Sequence, residues 1–217
     1  MKKILIIGIL TAVVAVFLAA VSFAGQKDGT MAGGMMYTKS AVDLRMDMRK
    51  LWEDHITFTR NFIISALAGG EDTGKVAARL LRNQDDIGSA IAPLYSDAAG
   101  KKLTALMREH ILIAADIVNA AKAGDNEGVA AGQKKWQQNA EEIASFLSGA
   151  NPNWSKQTLL NMLYEHLAYT TTEVVSRLGK DWAADIEAYD KGHLHMLKFA
   201  DMLTEGIVKQ FPEKFKN

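Results

Sequence analysis

The chain has 217 residues, 25 basic and 25 acidic, with 48% apolar residues and no cysteine. Balanced charge without a basic block excludes nucleic acid as the expected partner. The lack of cysteine excludes thiol enzymes, iron–sulfur centres and covalent c-type haem, and leaves stability to a packed core rather than to disulfides.

Lys2 and Lys3 precede an apolar run from Ile4 to Ala24, with small residues at Ser22 and Ala24. This pattern predicts a secretory signal peptide over 1–24, cleaved before Gly25. The length of the run also fits an uncleaved membrane anchor. On both readings the remainder is extracytoplasmic: periplasmic, secreted or tethered, with membrane contact only through this segment. Residues 25–38, "GQKDGTMAGGMMYT", have no periodicity and are expected to form a flexible Gly- and Met-rich lead-in.

From residue 39 onward the apolar pattern is helical and no stretch alternates with period two. The breakers predict helices over 39–68, 73–92, 97–123, 126–149, 155–178 and 181–210. The links "AGGED", "AGDN" and "LGKD" are short, and each offers glycine to close one helix and aspartate to cap the next. The links "APLYSDAAG" and "SGANPNWS" are longer and carry proline. Alternation of short and long links predicts three successive helical hairpins. The expected fold is all-α, a single six-helix bundle over 39–217.

The first helices of the three hairpins superpose on a histidine. "LWEDHITFTRNF", "LMREHILIAADI" and "MLYEHLAYTTTE" place His55, His110 and His166 in register, each after an acid: Asp54, Glu109 and Glu165. The second helices align through "RNQDDIGSAI" and "QNAEEIASFL", with Asn83 on Asn139 and Asp86 on Glu142. In the third, "GHLHMLKFADML" sets His193 where the asparagines stand. The result is a weak internal repeat.

Residues three, four and seven apart share a helix face. His55, His110, His166 and His193 thus fall on apolar stripes, and His195 is expected on another face. A buried imidazole without partners costs on the order of 1–3 kcal/mol, so several in one core suggest a shared purpose. Neutral imidazole suits zinc, iron, copper or nickel, and bundles build metal sites from facing helices. The expected ligands are His55, His110, His166 and His193, with Asp86, Glu142 and Asp190 completing the shell and Asn83 and Asn139 orienting the rings. Non-covalent haem on two of the histidines is a variant. Asp54, Glu109 and Glu165 are turned about 100° from their histidines, which makes them poor ligands for the same ion.

Plainer roles compete. A lone histidine on an apolar stripe is usually a satisfied core residue, and adjacent acids such as Asp85–Asp86 and Glu141–Glu142 usually face solvent. Trp52, Trp136, Trp154 and Trp182 are expected in the core or at caps. No nucleotide loop, zinc-protease motif or nucleophile elbow occurs.

The series "LWEDH…NQDDIG…EHILIAADIVNAAKAGD…NAEEIASFL…NPNW…YEHL", continuing into "DWAADIEAYD" and "IVKQFPEKF", resembles an uncharacterised bacterial family of exported helical proteins across about residues 43–215. Members of that family carry inconsistent enzyme names, glycosyltransferase and acetylglutamate kinase among them. The resemblance implies fold and export and no established activity. The expected function is an extracytoplasmic metal-binding bundle for storage, delivery, sensing or redox. The alternative is a non-catalytic bundle with structural histidines that binds a partner protein, the cell envelope or a small organic ligand.

Overall fold

A computed structural model describes residues 38–216; the expected signal segment and most of the lead-in lie outside them. Six helices follow in order: α1 (Lys39–Ala68), α2 (Thr73–Tyr95), α3 (Asp97–Ala123), α4 (Asn126–Ala150), α5 (Lys156–Gly179) and α6 (Trp182–Gln210). A short 3-10 turn, Pro212–Phe215, ends the fold. No strand occurs among the described residues, and no described helix is long and apolar enough to cross a membrane.

The ends of the helices follow from their caps. Gly69 and Gly124 close α1 and α3 in the left-handed conformation (φ 72° and 74°), which costs glycine nothing. The third short link departs from expectation, because Lys180, not Gly179, takes that conformation. Asp125 and Asp181 cap α4 and α6 through the amides of Gly128 and Ala184. Asp72 does not cap α2; it accepts from Ser65 Oγ at 2.5 Å instead. Helix α2 also continues past Pro93 to Tyr95. So near the end of a helix, the missing proline amide forfeits one bond without stopping the chain.

Each helix packs on the next, and α6 returns to α1, so the hairpins close a ring; α1 also packs on α3. Apolar residues at helical spacing fill the interior, such as Trp52, Ile56 and Ile63 of α1, Leu103, Met107 and Ile111 of α3, and Phe199, Leu203 and Ile207 of α6. Each large side chain removed from water contributes roughly 1.5–3 kcal/mol. Helices α2 and α3 approach so closely that a methyl group on Gly88 would meet Thr104 Oγ1 and the Gly100 carbonyl. At the long-link end, buried Asn151 donates to the Tyr95 hydroxyl (2.8 Å), which donates to Gln210 (2.8 Å).

Candidate metal centre

The shared register of the three hairpins brings His55 of α1, His110 of α3 and His166 of α5 into the core, 1%, 3% and 2% exposed. Their ring centroids form a triangle with sides of 6.3 Å (His55–His110), 5.6 Å (His55–His166) and 5.8 Å (His110–His166). Trp52 packs on His55 at 5.6 Å and Trp136 on His110 at 5.1 Å. Trp52, Trp136 and Trp154 are core residues as expected, while Trp182 is largely exposed.

The second helix of each hairpin reaches the carbonyl one turn before the histidine. Asn83 Nδ2 donates to Leu51 O (3.0 Å), Asn139 Nδ2 to Leu106 O (3.0 Å) and His195 Nε2 to Met162 O (2.8 Å). With its nitrogen committed to a carbonyl, Asn139 turns Oδ1 to His110 Nδ1 at 2.9 Å. An amide oxygen only accepts, so His110 carries its proton on Nδ1. In the first hairpin two residues divide this work. Asn83 holds the backbone, while Gln84 presents Oε1 to His55 Nδ1 at 3.3 Å. Gln84 Nε2 is committed to Leu80 O (2.8 Å) and Asn83 Oδ1 (3.1 Å), which fixes the same tautomer on His55. Among the described residues, Nε2 of both rings takes no hydrogen bond. His166 has no such amide, and its buried Nδ1 is unpartnered among the described residues.

Burial holds all three rings neutral. It lowers His55 to about 4 and His110 to about 3, the latter helped by the neighbouring His55, and it holds His166 well below the ordinary value. Neutral imidazoles with Nδ1–H pinned and Nε2 lone pairs unused are the form that ligates metals. Among the described residues, however, no group of three or more His, Cys, Asp or Glu side chains is arranged so that it could hold a metal ion.

The other expected ligands are elsewhere. His193 is not in the core: Nε2 meets Glu53 Oε1 at 3.2 Å at the edge of α1, and the ring stacks on Tyr189. His195, expected on another face, is the buried residue instead, 8% exposed. Asp86, Glu142 and Asp190 are exposed on the outer faces of α2, α4 and α6 and do not reach the imidazoles. Each follows or precedes a core position by a step that turns it toward water. Asp54 pairs with Arg79 (2.9 Å) and Glu165 accepts from Tyr169 (2.7 Å), so these acids flank the core as expected of non-ligands.

A second buried polar group carries no expectation from sequence. Glu173 and Asp185, 5% and 1% exposed, converge on Arg60. Arg60 Nη1 donates to Glu173 (2.8 Å) and Asp185 (3.1 Å), and Arg177 donates to Asp185 (2.7 Å). Burial pushes the Glu173 carboxyl up to about 7 against the pull of Arg60. The sequence signal was available: Glu173 stands seven residues after His166, where the other hairpins have Phe62 and Ile117.

Comparison with known proteins found no matching family model, no matching curated protein and no matching solved structure, so the geometry of this chain carries the functional argument.

Proposed function

We propose that the protein is a metal-binding helical bundle whose centre is the triad His55, His110 and His166. The observation that carries this reading is the directed bonding of the first two rings. Two amides hold Nδ1–H, and both Nε2 lone pairs are left unused inside the core. A merely structural histidine is expected to use both nitrogens.

An ion about 2.0–2.1 Å from each Nε2 requires the rings to move from their present positions, in which they form no metal-holding group. Packing supplies the supporting shell: Gln84 and Asn139 act on the rings, and Asn83, Asn139 and His195 brace the carbonyl one turn before each ligand. This threefold correspondence supports an internal repeat that has retained one ligand per hairpin. With an export signal at 1–24, the setting is extracytoplasmic, and the role is storage, delivery, sensing or redox. Haem receives no support, because the cavity one turn beyond the histidines, which none of the three rings lines, is only ≈ 30 Å³. The same small volume weighs against a drug-sized organic ligand.

The second reading, a scaffold with structural histidines, is favoured by the lack of a metal-holding group among the described residues. Metal titration of untagged protein separates the two. Zinc, iron or copper should bind near one equivalent and raise the melting temperature, and a His110→Ala/His166→Ala double variant should lose both effects. Failure of all three metals to bind or to stabilise the wild type would overturn the metal reading.

A further inference from the structure

One turn after each core histidine the chain places a small side chain: Thr59 after His55, Ala114 after His110 and Thr170 after His166. All three line one cavity of ≈ 30 Å³, which none of the imidazoles lines. Large residues stand one turn further on, Phe62, Ile117 and Val174, and they line it too. Protein interiors are close-packed and keep few voids larger than a water molecule. Three small residues in one register, set among large ones, leave such a space.

The cavity has a floor and a mouth. Ile63 of α1 and Leu80 of α2, 1% and 2% exposed, close it from within. Gln133 of α4 and Thr171 and Val175 of α5 line it as half-buried residues. These two helices are the most loosely packed neighbours around the bundle. On its other side α4 is seated against α3, where Gly132 leaves room for Ile117.

The lining selects by polarity. Among the described residues no charged side chain belongs to it. Thr59 and Thr170 donate their hydroxyl hydrogens to His55 O (2.7 Å) and His166 O (3.0 Å), so neither is left for a guest. Trp136, also in the wall, has a buried Nε1 without a partner among the described residues, which makes a hydrogen-bond acceptor the competing class of guest. A void of this size has room for about one or two water-sized bodies, and an apolar one stays dry yet takes apolar guests.

We propose that this cavity is a binding site for a small neutral apolar molecule of about two or three heavy atoms, a dissolved gas or a short hydrocarbon, admitted between α4 and α5. Removal of the guest from water drives binding, and the guest restores contacts that the lining lacks. The site is independent of the metal reading, because no imidazole lines it.

The test follows the methyl NMR signals of Ile63, Ile117 and Val174 in the metal-free wild-type protein under rising pressure of ethane. Methanol, a polar molecule of the same heavy-atom count, is the comparison. Ethane should saturate these signals at one site, at least tenfold more tightly than methanol, and xenon should compete with it. Dioxygen, read by its paramagnetic relaxation of the same methyls, separates the two sources. Tighter binding of dioxygen assigns the site to a gas, tighter binding of ethane to a hydrocarbon, and either supports it. Ala114→Leu should weaken ethane at least tenfold. Thr170→Val, which removes a hydroxyl at nearly the same volume, should leave it within about threefold. Shifts that grow with pressure and never saturate would overturn the proposal and leave a packing void only. Methanol bound as tightly as ethane would overturn it in favour of a hydrogen-bonding site at Trp136. Undiminished ethane binding in folded Ala114→Leu would also overturn it, and the wild-type comparisons decide the matter without any variant.

Discussion

Asn139 and His110 are joined by a bond whose direction is forced. Asn139 Nδ2 gives its hydrogen to Leu106 O, so the 2.9 Å contact with the ring is Nδ1–H donating to Oδ1. One amide thereby ties two helices of a hairpin together and sets the tautomer of a buried histidine. Asn139→Leu should leave His110 Nδ1 unpaired and remove a second bond from the Leu106 carbonyl. At about 1–3 kcal/mol for the buried ring nitrogen left without a partner, and about 0.5–1.5 kcal/mol for the second carbonyl bond, the expected loss is roughly 2–4 kcal/mol in urea unfolding. Metal affinity should also fall about 10–100-fold, the usual effect of losing an orienting partner. A loss below about 1 kcal/mol would mean the amide is peripheral.

Acid should unfold the metal-free protein through these rings. In the unfolded chain histidine titrates near about 6.5, whereas His55 and His110 are lowered to about 4 and 3 in the fold and His166 lies well below its ordinary value. Between these limits the unfolded state binds more protons, so stability is complete above about pH 6.5 and declines as pH falls. Each ring contributes a slope of up to about 1.4 kcal/mol per pH unit. Glu173, raised to about 7, acts in the opposite sense: its share is lost as pH rises from the unfolded value toward 7. Three groups outweigh one, so urea midpoints measured from pH 7.5 down to 5 should fall, and should fall less in His110→Leu. A flat profile would contradict the buried, neutral triad.

His166 separates stability from function. Its Nδ1 is unpartnered among the described residues, so His166→Leu replaces an unsatisfied polar ring by an apolar side chain of similar volume. Such replacements are near neutral or stabilising. The metal-free variant should unfold within about 1 kcal/mol of the wild type, yet bind no metal. Severe destabilisation would show that the ring has a structural partner.

The Arg60 cluster should respond unevenly to its two signs. Arg60→Ala strands Glu173 in the core and leaves Asp185 with Arg177 alone, and breaking a buried ion pair from one side costs about 3–5 kcal/mol. Glu173→Gln at pH 7 should change stability by about 1 kcal/mol or less, because the carboxyl is already half protonated there and Gln keeps the hydrogen-bonding shape. Equal losses in the two variants at pH 7 would show that Glu173 is fully ionised.

The helices and their order were legible because breakers and caps are local. Gly69, Gly124, Asp125 and Asp181 stand where the chain must turn or begin again. The three core histidines were legible because one register places each on the same face of its helix. What failed was the pairing across hairpins. Asn83 and Asn139 share the backbone contact, but the first hairpin is one residue shorter to that contact, so Gln84 takes over the ring. His193 was chosen by local alignment over His195. Yet His195 stands 29 residues after His166, as Asn139 does after His110 and Gln84 after His55. The constant separation was the better guide, since it measures the path down one helix and up the next. Asp86 and Glu142 stand three residues after buried asparagines, a turn of about 300° that reaches solvent at the rim of a narrow stripe, and Asp190 was placed by its spacing from His193, which itself lies outside the core.

X-ray anomalous scattering from crystals of the metal-loaded protein tests the central claim most directly, because it locates the ion without reference to any assumed ligand. The expected result is one peak at the centre of the His55, His110 and His166 triangle, within about 2.0–2.1 Å of three Nε2 atoms, with Gln84 and Asn139 still holding two of the rings from behind. A peak only on surface side chains such as His193 and Glu53, with the three core rings unmoved, would contradict it.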